Sequence, residues 1–373
     1  MKIVLAFDKF KGSATSLELA KAAADAIHAV HPDAETVIFP CADGGDGTLE
    51  ALMPKGAELI EKEVAAPLLS LPKVKAKYAL KGPHAVIELA AASGLALVPE
   101  EQRDVMQANT FGTGELMLDA IRRGAKRITL GIGGSATNDC GMGILAALGF
   151  RFYDADGQEL PPNGKNLALV AEINKNAVPE QVLSAQIDVI TDVKNPLCGP
   201  DGAAAVYGPQ KGASPQEVAV LDAGCANFAR FMADGVADAP GAGAAGGVGA
   251  GLLGFLNATL HPGAEAVLKF LHFEEALDGA DLVLTGEGKM DATTAQGKLP
   301  AAVASLCQKH GVPVVALCGL LEGDAPNVFT AVHCINELPI TDLATAMQKE
   351  VCLSRLAETV VKELSAPLAL LRS

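Results

Sequence analysis

Short apolar runs closed by glycine-rich polar turns recur along this chain. Ile3–Phe7, Thr36–Phe39, Ile128–Leu130, Ile187–Thr191, Leu282–Thr285, Val312–Leu317 and Val332–Ile335 are mostly apolar. Strands covered on both faces read this way, so the runs predict a parallel sheet. Segments of helical period lie between them. Thr15-x-x-Glu18 is a capping-box pattern, and Leu17, Ala20, Ala24 and Ile27 share one face of the helix expected to follow. Further helices are expected over Thr113–Arg123, stopped by Gly124, over Pro215–Ala233, from Pro300, and at the end of the chain to about Leu371.

The pattern changes in two places. Lys73–Tyr78 alternates polar and apolar residues, and with His84–Leu89 it predicts an antiparallel hairpin across Lys81-Gly-Pro-His84. From Phe150 to Asp278 the alternation of strand and helix is less regular. Gly241–Gly251 has the glycine content of a linker, but it lacks Ser and runs into apolar helical sequence. It therefore reads as a loop packed close to another backbone.

The simplest architecture is α/β. A Rossmann/flavodoxin-like parallel-sheet domain is built from both ends of the chain, over residues 1–56, 112–148 and 280–373. A second, mixed α/β domain is inserted, over residues 57–111 and 149–279. Open parallel sheets bind ligands beyond the carboxyl ends of their strands, and the polar turns described next follow such ends.

Composition narrows the function classes. The chain has 373 residues, half of them hydrophobic, which suits two or three domains and excludes disorder. A net charge of −15, no Trp and few other aromatics argue against nucleic acid or an anionic membrane as partner. Eight cysteines without a Cys-x-x-Cys pair argue against zinc and suit a reducing cytoplasm. No apolar run is long enough for a signal segment or a membrane span. A soluble, cytoplasmic enzyme is expected.

Gly131-Ile-Gly-Gly-Ser-Ala-Thr-Asn-Asp139 joins a predicted strand to the apolar segment Gly141–Leu148. Such a loop leaves N–H groups free for an anion at a helix start, and Gly133 and Gly134 permit close approach. It is equally an ordinary turn with Thr137 or Asn138 as helix cap. Asp8-Lys-Phe-Lys-Gly-Ser13 offers Lys11 to a phosphoryl group, or is a solvated turn. Asp43-Gly-Gly-Asp-Gly-Thr48 offers two carboxylates for Mg²⁺ or a substrate hydroxyl. Thr191-Asp-Val-Lys-Asn-Pro196 presents Asp192, Lys194 and Asn195, and Tyr207-Gly-Pro-Gln-Lys-Gly212 presents Gln210 and Lys211. Thr285-Gly-Glu-Gly-Lys-Met-Asp291 brackets Glu287 with glycines and suits a metal–phosphate site. Lys298 precedes Pro300, where a helix start could share an anion with it. No Gly-x-x-x-x-Gly-Lys-[Ser/Thr] loop occurs, and Gly131-x-Gly133 lacks a glycine at 136. The seven histidines are scattered and suggest no nucleophile system.

Taken in order, these segments resemble the type I glycerate kinase family. The matching stretches are Asp8-x-Phe-Lys-Gly-Ser13, Ala42–Thr48, Ala90-Ala-Ala-Ser-Gly-Leu95, Gly112-Thr-Gly-Glu-Leu116 and Gly131–Asp139. They continue with Asp192-Val-x-Asn-Pro-Leu197, Gly208–Ala213, Gly241–Gly247 and Thr285-Gly-Glu-Gly288. The resemblance implies two α/β domains with the active site in the cleft between them, and phosphorylation of D-glycerate by ATP with a divalent metal. It favours the 2-hydroxyl as acceptor. On that basis Glu287 or Asp291 would hold Mg²⁺. Lys11, Lys298 and the loop of Gly133, Gly134, Ser135, Asn138 and Asp139 would meet phosphates. Asp192, or failing that Asp43, would act as base, and Lys194, Asn195, Arg103 or Lys211 would hold glycerate. Lys9, Asp46, Cys140 and Thr293 depart from the family's usual Ser, Glu, Gly and Gln. Two rival readings are an NAD-dependent dehydrogenase, disfavoured by the missing dinucleotide fingerprint, and a non-catalytic regulator. The retained Lys11, Asp43, Asp139, Asp192, Glu287 and Lys298 speak against the regulator.

Overall fold

The computed structural model describes residues 1–41, 48–53, 56–292, 294, 298–324, 326–336 and 340–365. Among these lie strands Lys2–Phe7 (β1), Glu35–Ile38 (β2), Glu58–Val64 (β3), Val74–Lys81 (β4), His84–Glu88 (β5), Arg127–Gly131 (β6) and Arg151–Tyr153 (β7). They are followed by Glu172–Asn174 (β8), Gln186–Thr191 (β9), Thr259–Pro262 (β10), Leu282–Met290 (β11), Val314–Leu321 (β12) and Ala331–Cys334 (β13). The chain forms two compact units. One comprises Met1–Asp43, Glu50–Leu52 and Gly263–Ser373, the other Gly44–Leu49 and Met53–Pro262.

The first unit carries a parallel sheet of order β13-β12-β11-β1-β2. Counted within the unit this is the 2-1-3-4-5 order of flavodoxin-like folds, whose switch point, and ligand crevice, lies at the carboxyl ends of β1 and β11. Successive strand residues point to opposite faces, so both faces must be covered. Leu5, Phe7, Leu284 and Val315 pack with helices Ser16–Val30 and Lys349–Leu364. Val4, Ala6, Val283 and Val314 pack with helices Gly263–Phe270 and Leu299–His310. The predicted capping box is present. Glu18 N donates to Thr15 Oγ1 at 3.3 Å and Thr15 N to Glu18 Oε2 at 3.0 Å. Such a cap contributes about 1 kcal/mol.

The second unit carries a mixed sheet of order β10-β9-β6-β5-β4-β3. β5, β6, β9 and β10 are parallel, while β4 pairs antiparallel with β5 and β3. The hairpin closes with Lys81 opposite His84, as the alternation predicts. β3 extends it by one more strand. Asp119, on helix Phe111–Arg122, ties this edge down: it accepts from Lys62 of β3 at 3.0 Å, Tyr78 of β4 at 2.7 Å and Arg123 at 2.8 Å.

The expected domain boundaries require correction. The pattern puts residues 112–148 in the terminal domain, yet β6 lies between β5 and β9. Ile128 and Leu130 share a core with Ile87 and Val189. Residues 263–279 belong instead with the terminal segments, where Ala264, Leu268, Phe273 and Leu277 pack on Val4 and Ala6. A fully apolar parallel strand fits either sheet, so its pattern carries no information about its neighbour. Gly241–Gly251 does pack on other backbone, but from Ala244 it is not a loop: it runs into helix Ala244–Leu256, with Ala245, Gly246 and Gly247 left-handed inside it. A Cβ at Gly243 would lie 2.1 Å from Pro196 O, and one at Gly246 2.1 Å from Thr137 O.

Candidate functional site

Two groups of predicted residues are assembled, one in each unit. In the first, β11 does not turn after Thr285 but runs on through Glu287 to Met290. Glycine makes this possible. A Cβ at Gly286 would lie 2.0 Å from Leu317 O, and one at Gly288 3.2 Å from Phe10 Cα. The Lys11 turn packs on Gly288, Asp8 N donates to Gly286 O at 2.9 Å, and Lys11 itself is exposed. Both features sit at the β1/β11 switch point.

Glu287 is buried there, with 6 % of its surface exposed. Its Oε1 accepts from Thr294 Oγ1 at 2.5 Å and its Oε2 from Lys298 Nζ at 3.2 Å. Asp291 stands 3.8 Å from both Lys298 and Lys289. Lys298 stands at the N-cap position of helix Leu299–His310 without a side-chain capping bond, and Pro300 lies in the first turn as predicted. Cationic heads and hard carboxylate oxygens thus meet at one strand end. Among the described residues no three metal-ligating side chains cluster. A Mg²⁺ ion bound largely by phosphate and water needs only one or two carboxylates, so Glu287 and Asp291 fit it. Asp43 and its glycine turn, with Asp46, Thr293 and Gln296, lie outside the described residues.

In the second unit the Gly131–Asp139 loop leaves β6 and the Thr191–Pro196 loop leaves β9, its parallel neighbour. Gly134 is exposed with φ +71°, Gly133 is partly exposed, and Asp192 and Lys194 are exposed. These four can meet a dissolved ligand. Asp139 and Asn138 cannot, since both are fully buried. Asp139 accepts from Thr110 N and Oγ1, each at 2.8 Å, from Gly141 N at 3.0 Å and from Gly143 N at 3.1 Å. Burial pushes its pKa up and these bonds push it back. The chain's own carboxylate therefore occupies the start of helix Met142–Ala147. That helix start is not free for a phosphate, which corrects the expectation for Asn138 and Asp139.

Lys211 is also corrected. It is buried, 3 % exposed, and its Nζ donates to Ser135 Oγ at 2.8 Å and Thr137 O at 2.7 Å. Burial lowers its pKa to about 8. It holds the glycine-rich loop from behind and does not reach solvent. Asn195 is likewise engaged, donating to Asp201 O and accepting from Tyr207 OH, each at 2.8 Å. Arg103 packs beside Gly212, and its guanidinium lies 3.4 Å from Gln210 O.

The chain matches the model of the glycerate kinase family over residues 3–365. It belongs to the glycerate kinase family. It is 44 % identical over 327 residues to a glycerate kinase of Halalkalibacterium halodurans, covering 86 % of this chain and 85 % of the relative. It is 42 % identical over 332 residues to the glycerate 2-kinase of Escherichia coli K12, covering 87 % and 86 %. A crystal structure from Salmonella typhimurium LT2, of a protein assigned as glycerate kinase 2, superposes with a TM-score of 0.86 at 39 % identity. It covers 98 % of this chain and 97 % of that one.

This family member also holds polar contacts that no sequence motif announces. Thr110, the chief partner of Asp139, carries no motif signal. Asp188 carries a signal of another kind, an acidic residue inside an apolar strand, which demands buried partners. It accepts from Arg127 Nε at 2.7 Å and pairs with His261 Nε2 at 2.8 Å. Burial pushes its pKa up, but these partners hold it below the usual carboxylate value.

Proposed function

We propose that the protein transfers the γ-phosphoryl group of ATP to the 2-hydroxyl of D-glycerate in the cytoplasm, with Mg²⁺ as the metal. The observation that carries this is the Glu287–Thr294–Lys298 group at the β1/β11 switch point of a glycerate kinase family member. Such a strand end, with an exposed Lys11 turn packed on it, suits nucleotide phosphates. Among the described residues no helix is long and apolar enough to cross a membrane, and all eight cysteines are free, which supports the compartment.

Phosphoryl transfer asks a protein for positioning and for charge around the transferring group. Lys298 and Lys11 supply cationic heads to the phosphates. Gly133 and Gly134 offer backbone N–H groups from the loop that Lys211 holds through Ser135. Glu287 and Asp291 would hold Mg²⁺, which when bound neutralises charge on phosphate oxygens. Asp192 orients the glycerate hydroxyl and takes its proton, with Asp43 as the second candidate. Lys194 and Arg103 are the cations for the glycerate carboxylate. ADP release from ATP, Mg²⁺ and D-glycerate tests the reading. It is expected to depend on all three, and its absence with folded protein would overturn the proposal.

A further inference from the structure

β12 and β13 carry a pair of thiols at their carboxyl ends. Cys318 and Cys334 are register partners on these neighbouring parallel strands, so their side chains leave the same face of the sheet side by side. Neighbouring strands lie about 4.8 Å apart, inside the roughly 4.4–6.8 Å between Cα atoms that a disulfide spans. Cys334 Sγ is 3.4 Å from the carbonyl of Gly319, the residue after Cys318. The two differ in access. Cys318 is fully buried beside Ala316 and Met290, whereas Cys334 is only partly buried. Hydrogen bonding from Cys318 and from the N–H groups of Asn336 and Leu321 favours the Cys334 thiolate, the reactive form.

A second thiol pair provides the contrast. Cys140 and Cys225 approach to 3.5 Å between sulfurs, but both are fully buried. Proximity alone favours that pair; access favours Cys334.

We propose that Cys334 and Cys318 are a reversible oxidation site for hydroperoxides, with Cys334 as the attacking and Cys318 as the resolving thiol. The Cys334 thiolate attacks one peroxide oxygen and the O–O bond breaks. Cys334 becomes a sulfenic acid, and the other oxygen leaves as water or an alcohol after taking a proton. The Cys318 sulfur then attacks the Cys334 sulfur. The S–S bond forms, the S–O bond breaks, and the leaving hydroxide takes the Cys318 proton as water. The two sulfurs together give up two electrons, and these reduce the peroxide. Cys318 is also the register partner of Glu287. The bridge therefore forms one strand from the group assigned above to the nucleotide, but the bond itself does not depend on that assignment.

The test reads the bond directly. Reduced full-length protein is treated with hydrogen peroxide, denatured, and its thiols counted. Cleavage after glutamate at Glu322, which separates the two cysteines in sequence, then maps any bridge. The expected result is loss of two of the eight thiols, a peptide pair joined through Cys318 and Cys334, and full recovery with a dithiol reductant. Cys334→Ser should retain all its remaining thiols. Cys318→Ser should leave a sulfenic acid at Cys334 that a cyclic 1,3-dione captures. A bridge mapped to Cys140 and Cys225, thiol loss unchanged in Cys334→Ser, or no thiol loss would each overturn the proposal.

Discussion

The ammonium of Lys211 donates to Ser135 Oγ at 2.8 Å from a position 97 % out of water. A lysine read from its glycine-bounded segment as a substrate contact is instead a brace for the loop in front of it. Its second bond, to Thr137 O at 2.7 Å, fixes the backbone two residues further on. The loop is thus held by a buried cation on one side and by the buried Asp139 carboxylate at its end.

Lys211→Met should therefore damage the loop without emptying a substrate pocket. Leaving the Ser135 and Thr137 oxygens unpaired costs roughly 1–3 kcal/mol, so kcat/KM for ATP should fall by about tenfold to a hundredfold. The wild-type rate should decline as pH rises through about 8, where Lys211 loses its charge. The variant should lack that decline. Stability moves the other way. The folded pKa lies below the ordinary 10.5, so the cost of burying the charge is fully present below about pH 8 and is relieved as pH rises toward 10.5. Paired pH–rate and pH–melting profiles check both signs.

Asp192→Asn should lower kcat by roughly 10²–10⁴-fold, the span for a positioned base, with little change in KM for ATP. Extra Mg²⁺ should not restore it. Glu287→Gln and Asp291→Asn should need more Mg²⁺ and recover part of their rate when it is supplied. Titrating metal against rate for the three variants separates the roles. Rescue of Asp192→Asn would move Asp192 to the metal and leave Asp43 as the base.

Gly246→Ala should destabilise the second unit. Gly246 has φ +70°, and a Cβ there would lie 2.1 Å from Thr137 O, the carbonyl that Lys211 grips. Left-handed strain and overpacking together cost about 2–4 kcal/mol. Denaturant unfolding measures the loss. A wild-type midpoint would show that this approach is not tight.

Much of the fold was legible because its cues are local. Thr15 and Glu18 announced their capping box, Pro300 its helix start, and the alternation of Lys73–Tyr78 its hairpin. The sheet to which β6 belongs is not legible in the same way, because Ile128 and Leu130 look the same beside any parallel neighbour. The candidate site divided along a similar line. Glu287, Asp291 and Lys298 were readable as a group because glycines and a proline fixed their backbone close together in sequence. The buried roles of Asp139 and Lys211 are not legible in sequence, because their partners, Thr110 and Ser135, lie 29 and 76 residues away. Residue type shows that a charge wants a partner and not whether that partner is solvent, ligand or the chain itself.

Acid stability should depend on Asp119. Burial raises its pKa, but bonds from Tyr78, Lys62 and Arg123 overcome this and hold it at about 2. A depressed carboxylate stabilises the fold above its unfolded value of 3.8, by on the order of 2 kcal/mol here. That contribution is lost as pH falls from about 4 through 2. Asp119→Asn should be less stable than wild type at pH 7 and lose its disadvantage by about pH 2, as urea titrations at several pH values would show.

The most direct test of the central claim is a proton-coupled phosphorus NMR spectrum of the protein with ATP, Mg²⁺ and D-glycerate. ATP signals should give way to ADP and a new phosphomonoester, split into a doublet by the single proton on carbon 2. A triplet would place the phosphate on the 3-hydroxyl and contradict the proposed acceptor. Unchanged ATP with no phosphomonoester would contradict the account as a whole.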